Sequence, residues 1–513
     1  MAALARLLLP LLILFLAPAR TEASANLMVR EASPYLQLHA KDLVHWRPWG
    51  EAAIKEAVES GKPIFLSIGY LSCHWCHVMR RESFVDPDIA DIINTTYIPV
   101  LIDREEMPAL DSSFQSAAVL LGLGSGWPLT LFLTPEGKPF WGGTYFPKEP
   151  LRGMPPFASV LQQIATIYRE QPDAVANNAD GVTAALRRIS SFRPGKLSMT
   201  DVDAAAKDFA GRVNPFFGGF GEAPLFPMTV AQELLWRAYL RTGDPVYEDA
   251  VTTTLDAMAR GGVYDQVGGG FFRYAVDPVW NVPHFEKMLN VNAALLKLMT
   301  DVWRETGDDL LKRRIRETVA FLLSEMRLDG GAFASALDAD SAIAHDSEEE
   351  EEGAFYVWHP ETLKPVLGHD TELFLQLFDI APTETGEEGD PGTLYQSGAS
   401  LEDIVKATQM DEKTINQIID KSLTRLKLVR DKRPRPRRDD KVLADWNAIA
   451  ILGLTEAGLA FNKSEWIDAA ETTFSFIVNN LTDADGRLHH SWAASELGEP
   501  ALLRDLAAMA DAA

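Results

Sequence analysis

The sequence predicts two domains of different class, an α/β domain followed by an all-α domain. Three observations carry this. A short apolar run, Pro63-Ile64-Phe65-Leu66-Ser67-Ile68-Gly69, feeds directly into Cys73-His74-Trp75-Cys76 and then into a helical pattern from His77 to Phe84. Two further buried-strand patterns, Tyr97–Asp103 and Leu129–Leu133, follow within the first third of the chain. From about Ser198 the texture changes to helical patterns separated by Gly-rich loops.

The N-terminus reads first. Met1–Arg6 carries one positive charge, Leu7–Leu16 is an apolar run broken only by Pro10, and Ala17-Pro18-Ala19 and Thr21-Glu22-Ala23 offer small-residue cleavage sites. This is the pattern of a secretory signal peptide over residues 1–23. The run is too short for a permanent membrane anchor, which needs about 20 apolar residues. The expected location is therefore secreted or periplasmic. Two cysteines in 513 residues are too few for a disulfide scaffold. A formal net charge of −25 excludes nucleic acid as a partner, since that surface must be basic. Asp346–Glu352, with five consecutive glutamates, reads as a solvated acidic loop, and Arg430–Arg438 as a proline-broken basic surface loop.

The first domain, residues 24–190, can be followed element by element. Pro48 and Gly61 bracket a helix from Trp49 to Ser60. The strand and the CxxC come next, then a helix from Pro87 to Asn94, the strand Tyr97–Asp103, a Gly-rich loop into Trp127-Pro128, the strand Leu129–Leu133, and a last short strand from Phe140 to Tyr145. A strand that delivers a CxxC to a helix N-terminus is the thioredoxin arrangement. The free N–H groups of the first helical turn favour a thiolate on the first cysteine. Cys73 is then the nucleophile and Cys76 the resolving thiol. Two other readings stand beside the redox pair. His74 and His77 alternate with the cysteines as zinc ligands would, although no second ligand knuckle exists, and the pair could be a plain apolar one. A proline before a central strand is unusual. In thioredoxin folds it is cis and faces the dithiol, and Pro128 holds that place, with Trp75 and Trp127 completing a substrate groove.

In the second domain, residues 198–513, helices are expected over Thr229–Leu240, Tyr247–Arg260, Phe285–Arg304, Leu310–Arg327, Leu401–Thr408, Asp411–Leu428, Asp440–Asn462 and Glu465–Asn480. Helix pairs repeated in this way suggest an α/α toroid. Leu502–Ala513 begins one more helix, and the expectation is of a toroid truncated at its C-terminus. Ionisable residues cluster in the Gly- and aromatic-rich loops: Asp265, Arg273, His284, Glu286, Asp338, Asp340 and Asp440, with Trp446 and Asn447 beside the last. Converging on one mouth, paired carboxylates would suit glycosidic chemistry and a histidine would suit epimerisation by proton transfer. Tyr264, Trp280, Trp358 and Trp446 would give sugar rings flat faces. The same groups also serve as loop ties in many proteins.

The chain resembles the spermatogenesis-associated protein 20 family. The matching stretches are Ser33–Ala40, Val44-His45-Trp46, Ser72–Met79, Asp103-Arg104-Glu105-Glu106, Gly126-Trp127-Pro128 and Gly142–Pro147 in the first domain. In the second they are Gly218–Gly221, Gly262–Gln266, Val282–Leu289, Leu337–Ser341, Phe355–Trp358 and Asp439-Asp440-Lys441 with Trp446-Asn447. The resemblance implies a thioredoxin-like domain fused to an (α/α)6 barrel akin to sugar epimerases and six-hairpin glycosidases. No cofactor and no metal are expected. Three positions depart from the family pattern: Met107 replaces an arginine, Leu225 a lysine, and Asn290-Val291-Asn292-Ala293 lacks a carboxylate. Ser72 before the pair and His-Trp within it differ from ordinary redox thioredoxins. A protonated His74 would favour thiolate and an oxidising couple. The partners expected are thus protein thiols or disulfides at Cys73 and Cys76. A carbohydrate at the toroid, with the dithiol structural or regulatory, and a non-catalytic scaffold are the alternatives.

Overall fold

The computed structural model describes residues 26–151, 153–191, 195–383 and 392–513. The expected signal peptide lies outside them. The first domain runs α1 (Pro34–Leu38), β1 (Arg47–Pro48), α2 (Glu51–Ser60), β2 (Ile64–Gly69), α3 (His74–Met79), α4 (Pro87–Thr96), β3 (Ile98–Asp103), α5 (Pro108–Leu120), β4 (Leu129–Leu133), β5 (Pro139–Gly143), α6 (Phe157–Glu170) and α7 (Pro172–Ile189). A π-helical turn, Arg80–Phe84, extends α3. The sheet order is β1-β3-β2-β4-β5, with β1, β3 and β2 parallel and β4 and β5 antiparallel.

Every residue of β2, β3 and β4 is buried, because helices cover both faces of the sheet. Side chains of alternating parity go to opposite cores. Ile64, Leu66 and Ile68 meet Ala53 and Ala57 of α2 and Phe114 and Ala118 of α5. Phe65, Leu101 and Phe132 enter the larger core with Phe84, Ile93, Phe157 and Leu161. The helices α5, α6 and α7 were not anticipated from sequence.

The second domain contains α8 (Met199–Ala210), α9 (Thr229–Thr242), α10 (Pro245–Arg260), α11 (Leu289–Thr306), α12 (Asp309–Phe321), α13 (Pro360–Leu367), α14 (Thr371–Leu377), α15 (Leu401–Thr408), α16 (Glu412–Arg430), α17 (Ala444–Phe461), α18 (Ser464–Asn480) and α19 (Leu503–Ala512). A repeated device identifies it as an α/α toroid. After α8, α10, α12 and α18 the chain turns back through one isolated bridge: Val213 to Phe220, Tyr264 to Phe271, Arg327 to Phe333, and Thr482 to Leu488. The chain then leads toward α9, α11, α17 and α19 respectively. Helix α11 packs on α17, which also holds α18 and α19. Between the third turn and α17 lies an excursion, α13–α16, with its own core of Trp358, Phe374, Ile415 and Leu426.

Short strands line the loops: β6 (Tyr274–Ala275), β7 (Pro283–His284), β8 (Lys287–Met288), β9 (Ala336–Leu337), β10 (Asp340–Ala342), β11 (Glu350–Glu352), β12 (Phe378–Pro382), β13 (Gly392–Gln396), β14 (Arg438–Asp439), β15 (Val442–Leu443), β16 (Ser491–Ala493) and β17 (Glu496–Leu497). Two expected helices therefore start late, at Leu289 and Ala444, because residues Lys287–Met288 and Val442–Leu443 are strands. The acidic segment is an exposed loop over residues 346–349, as expected, but its last three residues form a strand. Glu350–Glu352 pairs with Asp340–Ala342.

Candidate functional site

Strand β9 lies between β8 and β14 in a three-stranded sheet. Lys287 pairs with Leu337, and Leu337 with Arg438; Met288 pairs with Ala336, and Ala336 with Asp439. Since paired residues share a face and neighbours alternate, this sheet sorts the toroid's charged loop residues into two sets. Glu286, Asp338, Asp439 and Lys441 meet the thioredoxin-like domain. Lys287, Leu337, Arg438 and Asp440 line a cavity on the other side. The expected single mouth is thus divided.

On the first face the toroid grips the CxxC from both sides. Cys73 caps α3, its Sγ accepting the Cys76 N–H at 3.3 Å, and the two cysteines are joined as a disulfide. Ser72 Oγ donates to Glu286 Oε2 at 2.9 Å and Tyr70 Oη to Glu286 Oε1 at 3.1 Å. The Ser72 carbonyl accepts the Ala339 N–H. His74 Nδ1 lies 2.6 Å from Asp340 Oδ1, and Arg81 Nη1 lies 3.0 Å from Asp340 Oδ2. His77 Nε2 lies 3.0 Å from Asp338 Oδ1. Arg273 pairs with Glu286 at 2.7 Å and touches Tyr70. His284 joins Glu286 at 3.4 Å to Glu352 at 2.5 Å. Beneath the disulfide, Gly69 is obligatory. A Cβ there would stand 2.8 Å from Cys76 Sγ and collide with the Tyr35 hydroxyl.

Burial would raise the Glu286 pKa, but Arg273 and His284 hold it well below the carboxylate range. Burial would likewise depress His284, yet Glu352 and Glu286 push it up to about 10. The Asp340 carboxyl is held low against burial by its bond to His74. His74, the histidine expected to favour a thiolate on Cys73, has its Nδ1 held by Asp340 Oδ1 across the interface.

A second link lies deeper. Lys441 Nζ, fully buried, sits 2.6 Å from Asp103 Oδ2, 3.2 Å from Glu105 Oε2 and 2.7 Å from Asp439 Oδ2. His490 joins the Glu105 carbonyl to Asp505, at 2.8 Å each. Both His490 nitrogens are thus engaged, and the neighbouring Asp445 pairs with Arg504 at 3.0 Å. Asp103, Glu105 and Lys441 lie in stretches that match the family, yet the sequence assigns them no role. No local signal marks them, because their burial, at 0–3% exposure, and hence their need to pair arise only when the two domains meet.

Several sequence expectations need correction. Tyr264, Trp280, Trp358 and Trp446 offer no faces to a ligand; all are buried, Trp446 at 6% and the others at 0–1% exposure. Asn447 ties the Phe333 backbone to Leu443 and is structural. Asp440 is exposed and paired with Arg438 at 2.6 Å. Asp265 is buried between Lys287 and Arg430, each at 2.7 Å. Arg430 is therefore part of the core, not of a surface loop. Both cysteines are buried, Cys73 at 3% and Cys76 at 2% exposure. Trp75 is 43% exposed and packs on Tyr145. The Trp127–Pro128 peptide is cis, as expected, but the Trp127 ring lies under Arg104 at 4.1 Å and donates to Asp111 at 2.9 Å. Met107 stands at the N-cap position of α5 and packs against the sheet core.

Comparison with known proteins agrees with this architecture. The family model Thioredox_DsbH, described as a protein of unknown function, DUF255, matches residues 25–187. The uncharacterized protein B0495.5 of Caenorhabditis elegans is 33% identical over 93% of this chain and 68% of its own length. Spermatogenesis-associated protein 20 of Homo sapiens is 33% identical over 90% of this chain, which spans 62% of the human protein. Among solved structures, cellobiose 2-epimerase from Spirochaeta thermophila aligns at 16% identity over 61% of this chain and 95% of its own, with a TM-score of 0.25, too low to carry a functional argument. With a thioredoxin-like domain at its start and a third of its residues shared with these relatives over at least 90% of its own length, the chain belongs to the spermatogenesis-associated protein 20 family.

Proposed function

We propose that the chain carries out thiol–disulfide exchange at Cys73 and Cys76 in an oxidising compartment, secretory or periplasmic, with the toroid loops acting as a cap over the dithiol. The observation that carries this reading is the position of the disulfide, with Cys73 capping the helix and accepting the Cys76 N–H. That donor stabilises charge on Cys73 sulfur as it leaves.

A substrate thiolate attacks Cys73 Sγ, the Cys73–Cys76 bond breaks, and Cys76 leaves as thiolate. A second substrate thiolate attacks the substrate sulfur of the mixed disulfide and releases Cys73 as thiolate. The substrate is oxidised by two electrons to its disulfide, and the cysteine pair is reduced and takes up two protons. A separate disulfide donor restores the pair for another turnover.

The cap supplies selectivity. With both sulfurs covered, a substrate reaches Cys73 only when α3 parts from the Asp338–Asp340 segment. The exposed Trp75 flanks that opening. The carboxylates and histidine expected to serve sugar chemistry are the groups that close the cap, which favours redox chemistry over glycosidic chemistry at this face. Trapping tests the reading. Cys76→Ser should accumulate a mixed disulfide with oxidised glutathione through Cys73, and Cys73→Ser should not. Equal labelling of both variants, or of neither, would refute it.

A further inference from the structure

Behind the β8–β9–β14 sheet, on the face away from the disulfide, lies a cavity of about 500 Å³. That volume falls in the range that holds a drug-sized ligand. Its floor is Asp265 between the buried cations Lys287 and Arg430, walled by Phe321, Phe355 and Tyr356. One carboxylate thus faces two cations. At the rim the charges balance in pairs, Arg435 with Glu325, Arg438 with Asp440 and Lys427 with Asp431. The surplus positive charge belongs to the floor.

Two floor groups are also unsatisfied. The Tyr356 hydroxyl and Arg430 Nε are buried with no hydrogen-bond partner, and the two residues are 5% and 3% exposed. Buried polar groups in native proteins nearly always find partners, so two without one at the floor of a cavity call for an explanation, and a bound guest supplies it. Tyr356 and Arg430 line this cavity together with Asp265, Glu325 and Arg435. A hydroxyl acceptor–donor, an unused guanidinium donor and a net positive floor together call for an anion. Carboxylates at the rim would accept hydrogen bonds from hydroxyl groups. Lys287 lies over the Phe321, Phe272 and Tyr356 rings, which fixes its ammonium in place.

We infer that this cavity binds a small hydroxylated organic anion, a sugar acid or a sugar phosphate. The inference is independent of the redox reading, because the sheet separates the cavity from the disulfide.

Calorimetry on the full chain tests it, with glucuronate, glucose 6-phosphate, glucose and inorganic phosphate as probes. Binding of glucuronate alone would identify a sugar acid, and of glucose 6-phosphate alone a phosphate ester. Glucose should bind at least about tenfold more weakly than the better anion, and inorganic phosphate more weakly than glucose 6-phosphate. Tyr356→Phe removes a hydroxyl that has no protein partner, so its fold and thermal midpoint should hold while affinity falls about tenfold. Lys287→Met leaves Asp265 paired with Arg430 and should abolish the preference for the anion over glucose. Absence of binding by both anions, glucose binding as tightly as the anions, free phosphate binding as tightly as its ester, or unchanged affinity in Tyr356→Phe would each overturn the proposal.

Discussion

His77 Nε2 and Asp338 Oδ1, 261 residues apart in sequence, meet at 3.0 Å across the interface of the two domains. Both side chains are buried. The helix that carries the disulfide is therefore fastened to the toroid by a titratable pair one residue beyond Cys76. Burial alone would depress the His77 pKa, but the charge and hydrogen bond of Asp338, helped by Asp340, raise it.

That sign predicts a pH optimum for the closed interface. The raised groups His77 and His284 contribute fully below their unfolded value of 6.5, and the contribution fades as pH rises through their folded values, about 10 for His284. The depressed carboxylates Glu286, Glu352 and Asp340 contribute above unfolded values of 4.5 and 3.8 and lose their share as pH falls below them. Thermal midpoints should peak between about pH 4.5 and 6.5 and decline steadily toward pH 10. His77→Gln should flatten the alkaline limb.

Replacing Lys441 by Met should destabilise the chain by about 3–5 kcal/mol, since Asp103, Glu105 and Asp439 would remain buried around no cation. Asp440→Asn, one residue away but exposed, should change stability by less than about 0.5 kcal/mol. Denaturant titration of the two variants measures the contrast. Similar losses would show that Lys441 is not the interface anchor.

Loosening the cap should expose the dithiol. Asp338→Asn together with Asp340→Asn weakens the holds on His77, His74 and Arg81 without touching the cysteines. Reduction by dithiothreitol should accelerate about tenfold or more, the equivalent of some 1.4 kcal/mol of closing energy. An unchanged rate would mean that the toroid does not gate Cys73.

Gly69→Ala should disrupt folding of the first domain or displace the disulfide, because the added methyl meets Cys76 Sγ and Tyr35 at once. Near-ultraviolet circular dichroism would register the change. An intact spectrum would show that the strand can shift there at little cost.

The thioredoxin-like sheet was legible because β2, β3 and β4 are continuous apolar runs, and burial on both faces leaves no other reading for Ile64–Gly69 or Leu129–Leu133. The helix pairs were legible for their length. Two-residue strands such as Lys287–Met288 are too short for any pattern, so the helices behind them were extended too far. The ionisable loop residues were found by composition, but their partners were not. Asp340 and His74 are separated by 266 residues, and nothing local says that a toroid carboxylate faces a CxxC histidine instead of a sugar. Trp446 was misread because α17 is buried nearly all round, so an aromatic there is core.

The most direct test of the central claim is the equilibrium of the Cys73–Cys76 couple with glutathione redox buffers, followed by alkylation of the reduced thiols. An exchanging pair should have a reduction potential well above about −300 mV and respond within the range the buffer spans. A potential well below about −300 mV would mark an inert structural disulfide and contradict thiol–disulfide exchange as the function of this site.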